Sequence, residues 1–109
     1  MPTEDVAEWI VTTTADNAAA TVQKAAEVGR VHFITSISGS FSSAQAAAKL
    51  MTLKNGAATI GNFHVFNNRD VPFVFPIMLS PNTLAELSLP ASGTGGQVGA
   101  VTMSGYTVG

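Results

Sequence analysis

Two strand-like segments meet at one turn signal in the stretch Leu50-Met51-Thr52-Leu53-Lys54-Asn55-Gly56-Ala57-Ala58-Thr59-Ile60. Asn-Gly is the dipeptide most typical of a two-residue type I′ hairpin, because both central residues of that turn need a positive φ. The stretch therefore predicts an antiparallel hairpin that joins Leu50–Lys54 to a strand over Ala57–Phe66.

Outward from this hairpin, turn signals recur at short intervals and separate segments rich in Val, Ile, Thr and Phe. Such spacing is typical of an all-β sandwich or barrel, and eight short antiparallel strands is the number in a jelly roll. We therefore predict an all-β, eight-stranded antiparallel jelly-roll sandwich over residues 17–109, with residues 1–16 as an extended acidic N-terminal arm and first strand. The predicted strands are Glu8–Thr14, Ala19–Ala25, Val31–Phe41, Leu50–Lys54, Ala58–Phe66, Val71–Met78, Thr83–Leu89 and Gly99–Val108.

Two alanine-rich segments, residues 16–26 and 44–50, also have high helix propensity. Neither carries a wide stripe of large apolar residues that a helix could bury. We interpret the first as a strand and the second as a loop with at most one helical turn. In the strand over residues 31–41, strict alternation predicts one face made of Phe33, Thr35, Ile37, Gly39 and Phe41.

The segment Val71–Met78 is apolar on both faces, which favours a strand buried on both sides. Pro72 and Pro76 cannot donate hydrogen bonds to a ladder, so the strand is predicted at a sheet edge or on a bulge. An apolar edge of this kind is a candidate subunit contact, although a core strand ending in a turn would produce a similar pattern. The predicted interface residues are Val71, Phe73, Phe75 and Ile77.

Charged residues make up 11% of the chain, and Glu86 is the only one after Asp70. An average soluble domain has roughly a quarter, so we predict that much of the surface meets other protein. The net charge is −2 and the five basic residues are dispersed, which argues against nucleic-acid binding. No apolar run reaches the roughly 20 residues that cross a bilayer, so no membrane contact is expected.

Acidic residues are concentrated in the first 16 positions, where no basic side chain occurs. This asymmetry is typical either of an arm that binds a basic partner surface or of a solvated terminus. Trp9 within it is predicted to pack against a subunit or partner; the alternative is that it covers the chain's own core. The predicted contact residues of the arm are Glu4, Asp5, Glu8, Trp9 and Ile10.

Residues that could carry catalysis are few. The chain has no cysteine and two histidines, His32 and His64. We interpret both as hydrogen-bonded structural residues; the alternative is a two-His-one-carboxylate metal site with Asp70 or Glu86. No serine lies in a nucleophile elbow and the glycines near position 95 form no phosphate loop. We therefore expect neither an enzyme nor a cofactor.

One polar loop is predicted at residues 67–70, as a hairpin tip that could also bind a sugar or a protein. Its residues are Asn67, Asn68, Arg69 and Asp70.

With these segments in view, the chain resembles small tailed-phage virion proteins that fold as tumour-necrosis-factor-like jelly rolls. The resemblance covers about residues 9–108. It rests on strand and turn segments rather than on catalytic motifs: Thr12-Thr13-Thr14, Val22-Gln23-Lys24-Ala25-Ala26, Gly29-Arg30-Val31-His32-Phe33-Ile34-Thr35-Ser36-Ile37, Pro81-Asn82-Thr83-Leu84-Ala85-Glu86-Leu87 and Gly99-Ala100-Val101-Thr102-Met103-Ser104-Gly105-Tyr106.

The resemblance implies a homotrimer that is made in the host cytoplasm and binds the major capsid protein on the outside of a phage head. There it would act as a decoration or cement protein that stabilises the shell. The alternative function is a receptor- or glycan-binding jelly-roll module of a phage tail or fibre.

Overall fold

The fold was established from a computed structural model, which describes residues 6–109 and contains eight strands and no helix in that range. Glu4 and Asp5 of the predicted arm lie outside the described residues. The strands are β1 (Val6–Asp16), β2 (Ala20–Lys24), β3 (Val31–Phe41), β4 (Lys49–Asn55), β5 (Ala58–Val65), β6 (Asn68–Met78), β7 (Ala85–Leu89) and β8 (Val98–Val108).

The strands form two four-stranded antiparallel sheets. Sheet I has the order β1-β8-β3-β6, and sheet II has the order β2-β7-β4-β5. The pairs β4–β5, β3–β6, β2–β7 and β1–β8 are nested around the central hairpin, as if the whole chain were one long hairpin rolled into a sandwich. This is the jelly-roll arrangement, and it confirms the predicted fold class.

The core lies between the sheets and is filled by one side of each strand. Along β8, every second residue from Gly99 to Thr107 is buried, because successive side chains of a strand point to opposite faces. The buried apolar residues are Ala20, Val22, Ile34, Ile37, Phe41, Met51, Leu53, Val65, Leu79, Ala85, Leu87, Leu89, Val101 and Met103.

The central hairpin is present, but its turn type differs from the predicted one. Asn55 pairs with Ala58, so the central turn residues are Gly56 and Ala57. Only Gly56 has a positive φ, of 64°, which is the type II′ pattern rather than type I′. The Asn55 amide instead bonds Ser80, through its backbone N at 3.3 Å and its hydroxyl at 3.2 Å. The side chain thereby ties the hairpin to the β6–β7 connection.

A bulge in β3 corrects the predicted alternation. The register of β3 shifts between Ile34 and Ser36 against both of its neighbours, which leaves Thr35 as an extra residue. The inward positions therefore change from His32 and Ile34 before the bulge to Ile37 and the residues at 39 and 41 after it. Phe33, predicted to share a face with Ile37, points to the outside of sheet I.

The N-terminal residues that the structure describes belong to the sheet. β1 pairs with β8 along its whole length, from Val6 opposite Val108 to Asp16 opposite Val98. The predicted first strand, Glu8–Thr14, is therefore present, and it extends over Val6–Asp16 because a continuous ladder of backbone hydrogen bonds holds this segment as an edge strand. The segment 16–26 does contain a strand, and residues 42–48 are a loop without a helical turn.

Candidate interaction surface

Half of the outer face of sheet I is apolar. One cross-strand row runs Glu8–Tyr106–Phe33–Met78, and the Phe33 and Tyr106 rings stack with centroids 4.9 Å apart and planes 12° from parallel. Side chains before and after this row add to the patch, which we call the apolar face. It consists of Val6, Ile10, Val31, Phe33, Met78, Tyr106 and Val108.

Several members of the apolar face are open to solvent. Ile10 is 69% exposed and Met78 is 66% exposed, while Phe33 and Tyr106 are half-buried. Of the predicted contact residues, Glu8 and Ile10 point outward at this face, as the alternation of β1 requires. The apolar face therefore presents an uncovered surface on an ordered sheet, with the Glu8 carboxylate at its β1 edge.

The other half of the same outer face carries hydroxyl groups that bond to one another. The Thr12 and Thr102 hydroxyls are 3.0 Å apart, and those of Ser36 and Ser104 are 2.6 Å apart. Because these groups are satisfied by neighbours on adjacent strands, this half needs no partner to complete its hydrogen bonds.

Strand β6 is the edge of sheet I and bulges away from it. Pro72 is opposite Ser36 and Ile77 is opposite Ile34, so residues 73–76 face a single residue of β3. Val74 and Phe75 in this bulge are 89% and 84% exposed. The predicted edge and bulge are thus both present.

The predicted burial of this strand on both sides is wrong for the isolated chain. Val71, Phe73 and Ile77 pack against the chain's own core, and the Phe73 ring meets the Phe63 ring of sheet II edge-on at 6.4 Å. Phe75 alone of the four predicted interface residues is exposed. The bulge separates these two groups by turning residues 74–76 outward.

Trp9 packs on the core of its own chain. Its indole Nε1 donates to the Thr107 hydroxyl at 2.9 Å, and its ring meets the His32 ring edge-on at 5.9 Å. The structure thus shows the alternative in which Trp9 covers its own core.

His32 is a buried structural residue. Its Nε2 lies 2.7 Å from the Ala25 carbonyl, which can only accept, so Nε2 carries the hydrogen. Its Nδ1 then accepts from the Thr107 hydroxyl at 2.7 Å, while that oxygen accepts from Trp9. Three polar groups are satisfied inside sheet I by this single chain of hydrogen bonds.

The structure does not bring the two histidines together. His64 lies exposed on β5 of sheet II, whereas both ring nitrogens of His32 are engaged in sheet I. Residues 6–109 contain no group of three or more His, Asp or Glu side chains placed to hold a metal ion. The alternative metal site is therefore not assembled by the described residues.

The predicted polar loop is largely strand. Asn68, Arg69 and Asp70 begin β6, and only Phe66 and Asn67 connect it to β5. Since β5 and β6 lie in different sheets, this connection crosses the sandwich and is not a hairpin tip. Phe66 is 56% exposed beside these polar residues, and it lies in the connection rather than at the end of the predicted strand Ala58–Phe66.

Charged contacts are concentrated in the β2–β3 connection. Lys24 and Arg30 lie 3.3 Å and 3.1 Å from the two carboxylate oxygens of Glu27. The hydrogen bond from Lys24, together with the charges of Lys24 and Arg30, lowers the pKa of Glu27. Glu27 thus balances one of the two positive charges beside it.

One concave feature was missed by sequence reasoning because its residues form no motif. It is a cavity of about 340 Å³ between the β3–β4 and β7–β8 loops. Its lining residues are Ala44, Gln45, Ala46, Ala47, Lys49, Ser92, Thr94 and Gln97.

Comparisons with known proteins identify no family for this chain, so the fold is assigned from its strand order. No protein-family profile matches the sequence, and no curated protein is significantly similar to it. A solved structure that is similar is the CBM36-1 domain of a multidomain xylanase from the hindgut metagenome of Trinervitermes trinervoides, with 11% identity, a TM-score of 0.38, and coverage of 98% of this chain and 97% of that one. A TM-score this low assigns no function to the present chain. The described residues also contain no helix that is long and apolar enough to cross a membrane.

Proposed function

We propose that this chain is a structural assembly protein, a homotrimeric decoration or cement protein that binds the major capsid protein on the outside of a phage head and stabilises the shell. The observation that carries the proposal is the exposed apolar surface formed by the apolar face and the adjacent bulge of β6. The resemblance of the sequence to virion jelly rolls supplies the particular setting.

The exposed surface favours association on energetic grounds. Fully burying a Val, Phe or Met side chain contributes about 1.5–3 kcal/mol, and Val74, Phe75 and Met78 are each more than half exposed. Large contiguous apolar patches are rare on monomeric soluble proteins and commonly mark interaction sites. Covering the β6 bulge and the apolar face together would therefore supply several kcal/mol toward assembly.

The arrangement also favours a ring over a two-fold dimer. The bulge of β6 projects at the edge of sheet I, whereas the apolar face lies on the front of the same sheet. When two different surfaces of identical chains meet head to tail, the assembly closes into a ring if the rotation allows it. A trimer is the smallest closed ring that head-to-tail contacts form, because a closed dimer uses the same surface on both chains.

The first test is the oligomeric state of the purified protein and of Phe75→Asp, measured by sedimentation velocity over a dilution series. We expect the wild type to sediment as three chains and the variant to dissociate. Thr21→Asp is the matched control, because Thr21 is exposed on the outer face of sheet II. A wild type that stays monomeric at high concentration would contradict the trimer.

The second test addresses the shell. Phage heads lacking this protein are mixed with wild type or Phe75→Asp, and bound protein and heat resistance are measured. We expect wild type to bind and raise the temperature of head rupture, because a ligand of the intact shell stabilises it. Trimers that leave heads unoccupied would overturn the decoration role while leaving the assembly intact.

A glycan-binding module is the second candidate, favoured by exposed Phe66 next to Asn67, Asn68 and Arg69. An aromatic ring beside amide and cationic groups suits a sugar. Glycan-array binding that Phe66→Ala abolishes would support this candidate, and an empty array would remove it.

A further inference from the structure

The cavity between the β3–β4 and β7–β8 loops is held open by backbone hydrogen bonds. Gln45 N donates to Phe66 O at 2.8 Å, and Asn17 N donates to Gln97 O at 3.2 Å. Ser42 and Val98 exchange two further bonds, each 2.9 Å long. Both loops are therefore fixed to neighbouring segments of the chain before any ligand arrives, which lowers the entropic cost of binding.

The cavity contains an unneutralised cation. Lys49, half-buried at the start of β4, has no ion-pair or hydrogen-bond partner among residues 6–109. By contrast, Lys24 pairs with Glu27 and Lys54 pairs with Glu86. No Asp or Glu lines the cavity, so nothing in its wall balances the ammonium charge.

Most of the remaining side-chain polar groups that line the cavity are donors or already engaged. Gln45 uses both hydrogens of its amide, one on Ser43 O and one on Gln97 Oε1, and keeps its own Oε1 as an acceptor. That contact orients the Gln97 amide and leaves Gln97 Nε2 without a partner among the described residues. The Ser92 hydroxyl donates to backbone carbonyls within its own loop. Lys49 Nζ, Gln97 Nε2 and the Thr94 hydroxyl are thus the donors left for a ligand.

From this geometry we propose that the cavity binds a carboxylate with a short aliphatic chain. The two carboxylate oxygens match one ammonium and one amide donor, and charge-assisted hydrogen bonds of this type are the stronger ones. The methyl groups of Ala44, Ala46 and Ala47 provide an apolar wall for the chain. The absence of an aromatic ring among the lining residues disfavours a sugar.

A free aliphatic acid and a glutamate side chain of another protein carry the same group, so the experiment uses both. Butyrate and acetyl-glutamate amide are titrated into the isotope-labelled full chain, and backbone amide shifts are followed by NMR. We expect saturable shifts at Gln45, Thr94 and Gln97. The probe that binds more tightly shows whether the carboxylate belongs to a free aliphatic acid or to a glutamate side chain. Butanol serves as the uncharged counterpart of butyrate.

Lys49→Gln should weaken binding at least about tenfold, because it removes the charge-assisted contact. Lys54→Gln, on the same strand but paired with Glu86, should bind as the wild type does. Absence of saturable shifts for both probes, equal affinity in Lys49→Gln, or butanol binding as tightly as butyrate would each overturn the proposal. The readout does not depend on trimer formation.

Discussion

The outer faces of the two sheets differ in the side chains that they present to solvent. On sheet II, Thr21 bonds Ser88 at 2.8 Å, and Glu86 accepts from Gln23 at 2.7 Å while lying 3.9 Å from Lys54. The Thr52 hydroxyl likewise donates to the Asn62 amide oxygen at 3.2 Å, so polar groups on all four strands of this face have partners on a neighbouring strand. Sheet II also exposes Leu50 and Ile60, at 39% and 41%, but cross-strand polar pairs cover much of its outer face.

Sheet I places polar groups inside and apolar groups outside in the same region. Trp9, His32 and Thr107 form a hydrogen-bond chain on its inner side, while Phe33, Tyr106 and Met78 lie on its outer side. Removing the apolar side chains of such a face from water lowers the free energy, so covering this face is favourable. The contrast favours sheet I over sheet II as the surface used in the proposed association.

The largest expected effect on stability comes from Gly105→Ala, a substitution opposite Ile34, where β8 faces the β3 bulge. A Cβ at position 105 would lie 2.0 Å from the backbone oxygen of Phe33. A rigid backbone atom cannot yield as a side chain can, so we expect a loss of at least ~3 kcal/mol in the free energy of unfolding. For a domain of this size that lowers the melting temperature by about 12 °C or more.

Gly99→Ala is the control on the same strand, since its added Cβ would lie 3.4 Å from Leu89 and Phe41 side-chain atoms. Calorimetry should show a much smaller change for this variant. Equal melting temperatures for the two variants would mean that the close approach at the bulge does not constrain the strand.

The next largest effect is expected from Thr107→Val, which keeps the side-chain shape and removes the buried hydroxyl. Trp9 Nε1 would lose its acceptor and His32 Nδ1 its donor. Leaving buried polar groups without partners costs about 1–3 kcal/mol, measured by urea unfolding.

Thr12→Val removes a hydroxyl from the outer side of the same sheet and should cost less than ~1 kcal/mol. A Thr107→Val midpoint in urea that matches the wild type would show that the inner network does not contribute to stability.

The sequence was sufficient for the fold because its signals are local and repeated. The segment around Asn55 predicted the hairpin. The short segments rich in Val, Ile, Thr and Phe on either side predicted the other strands to within a few residues. Pro72 and Pro76 correctly predicted an edge strand, since proline removes a donor wherever it occurs.

The composition of the surface was harder to predict, because a single inserted residue changes which side chains of a strand point outward. One extra residue at Thr35 exchanges the two faces of β3, and alternation alone has no signal for such an insertion. The Lys49 cavity joins two loops that are distant in sequence, so only the folded topology brings its residues together.

A third prediction separates the two halves of the outer face of sheet I. Ile10→Asp places a charge on the apolar face, and we expect trimer association to weaken at least about tenfold because an interface charge without a partner stays poorly solvated. Thr14→Asp makes the same change on the hydroxyl-bearing half of β1 and should leave association unchanged. Sedimentation velocity of both variants decides whether the apolar half alone is covered.

The smallest expected effect is on sheet II, with Glu86→Gln. The amide keeps an oxygen for Gln23 and loses the charge that faces Lys54 at 3.9 Å. A partly exposed ion pair contributes about 0–1 kcal/mol, and salt screens it further, so wild type and variant should converge in urea unfolding as sodium chloride is raised. Association should be identical in the two proteins, because the Glu86 carboxylate makes its contacts within sheet II. A trimer that dissociates on Glu86→Gln would place sheet II in the interface and remove the distinction between the two faces.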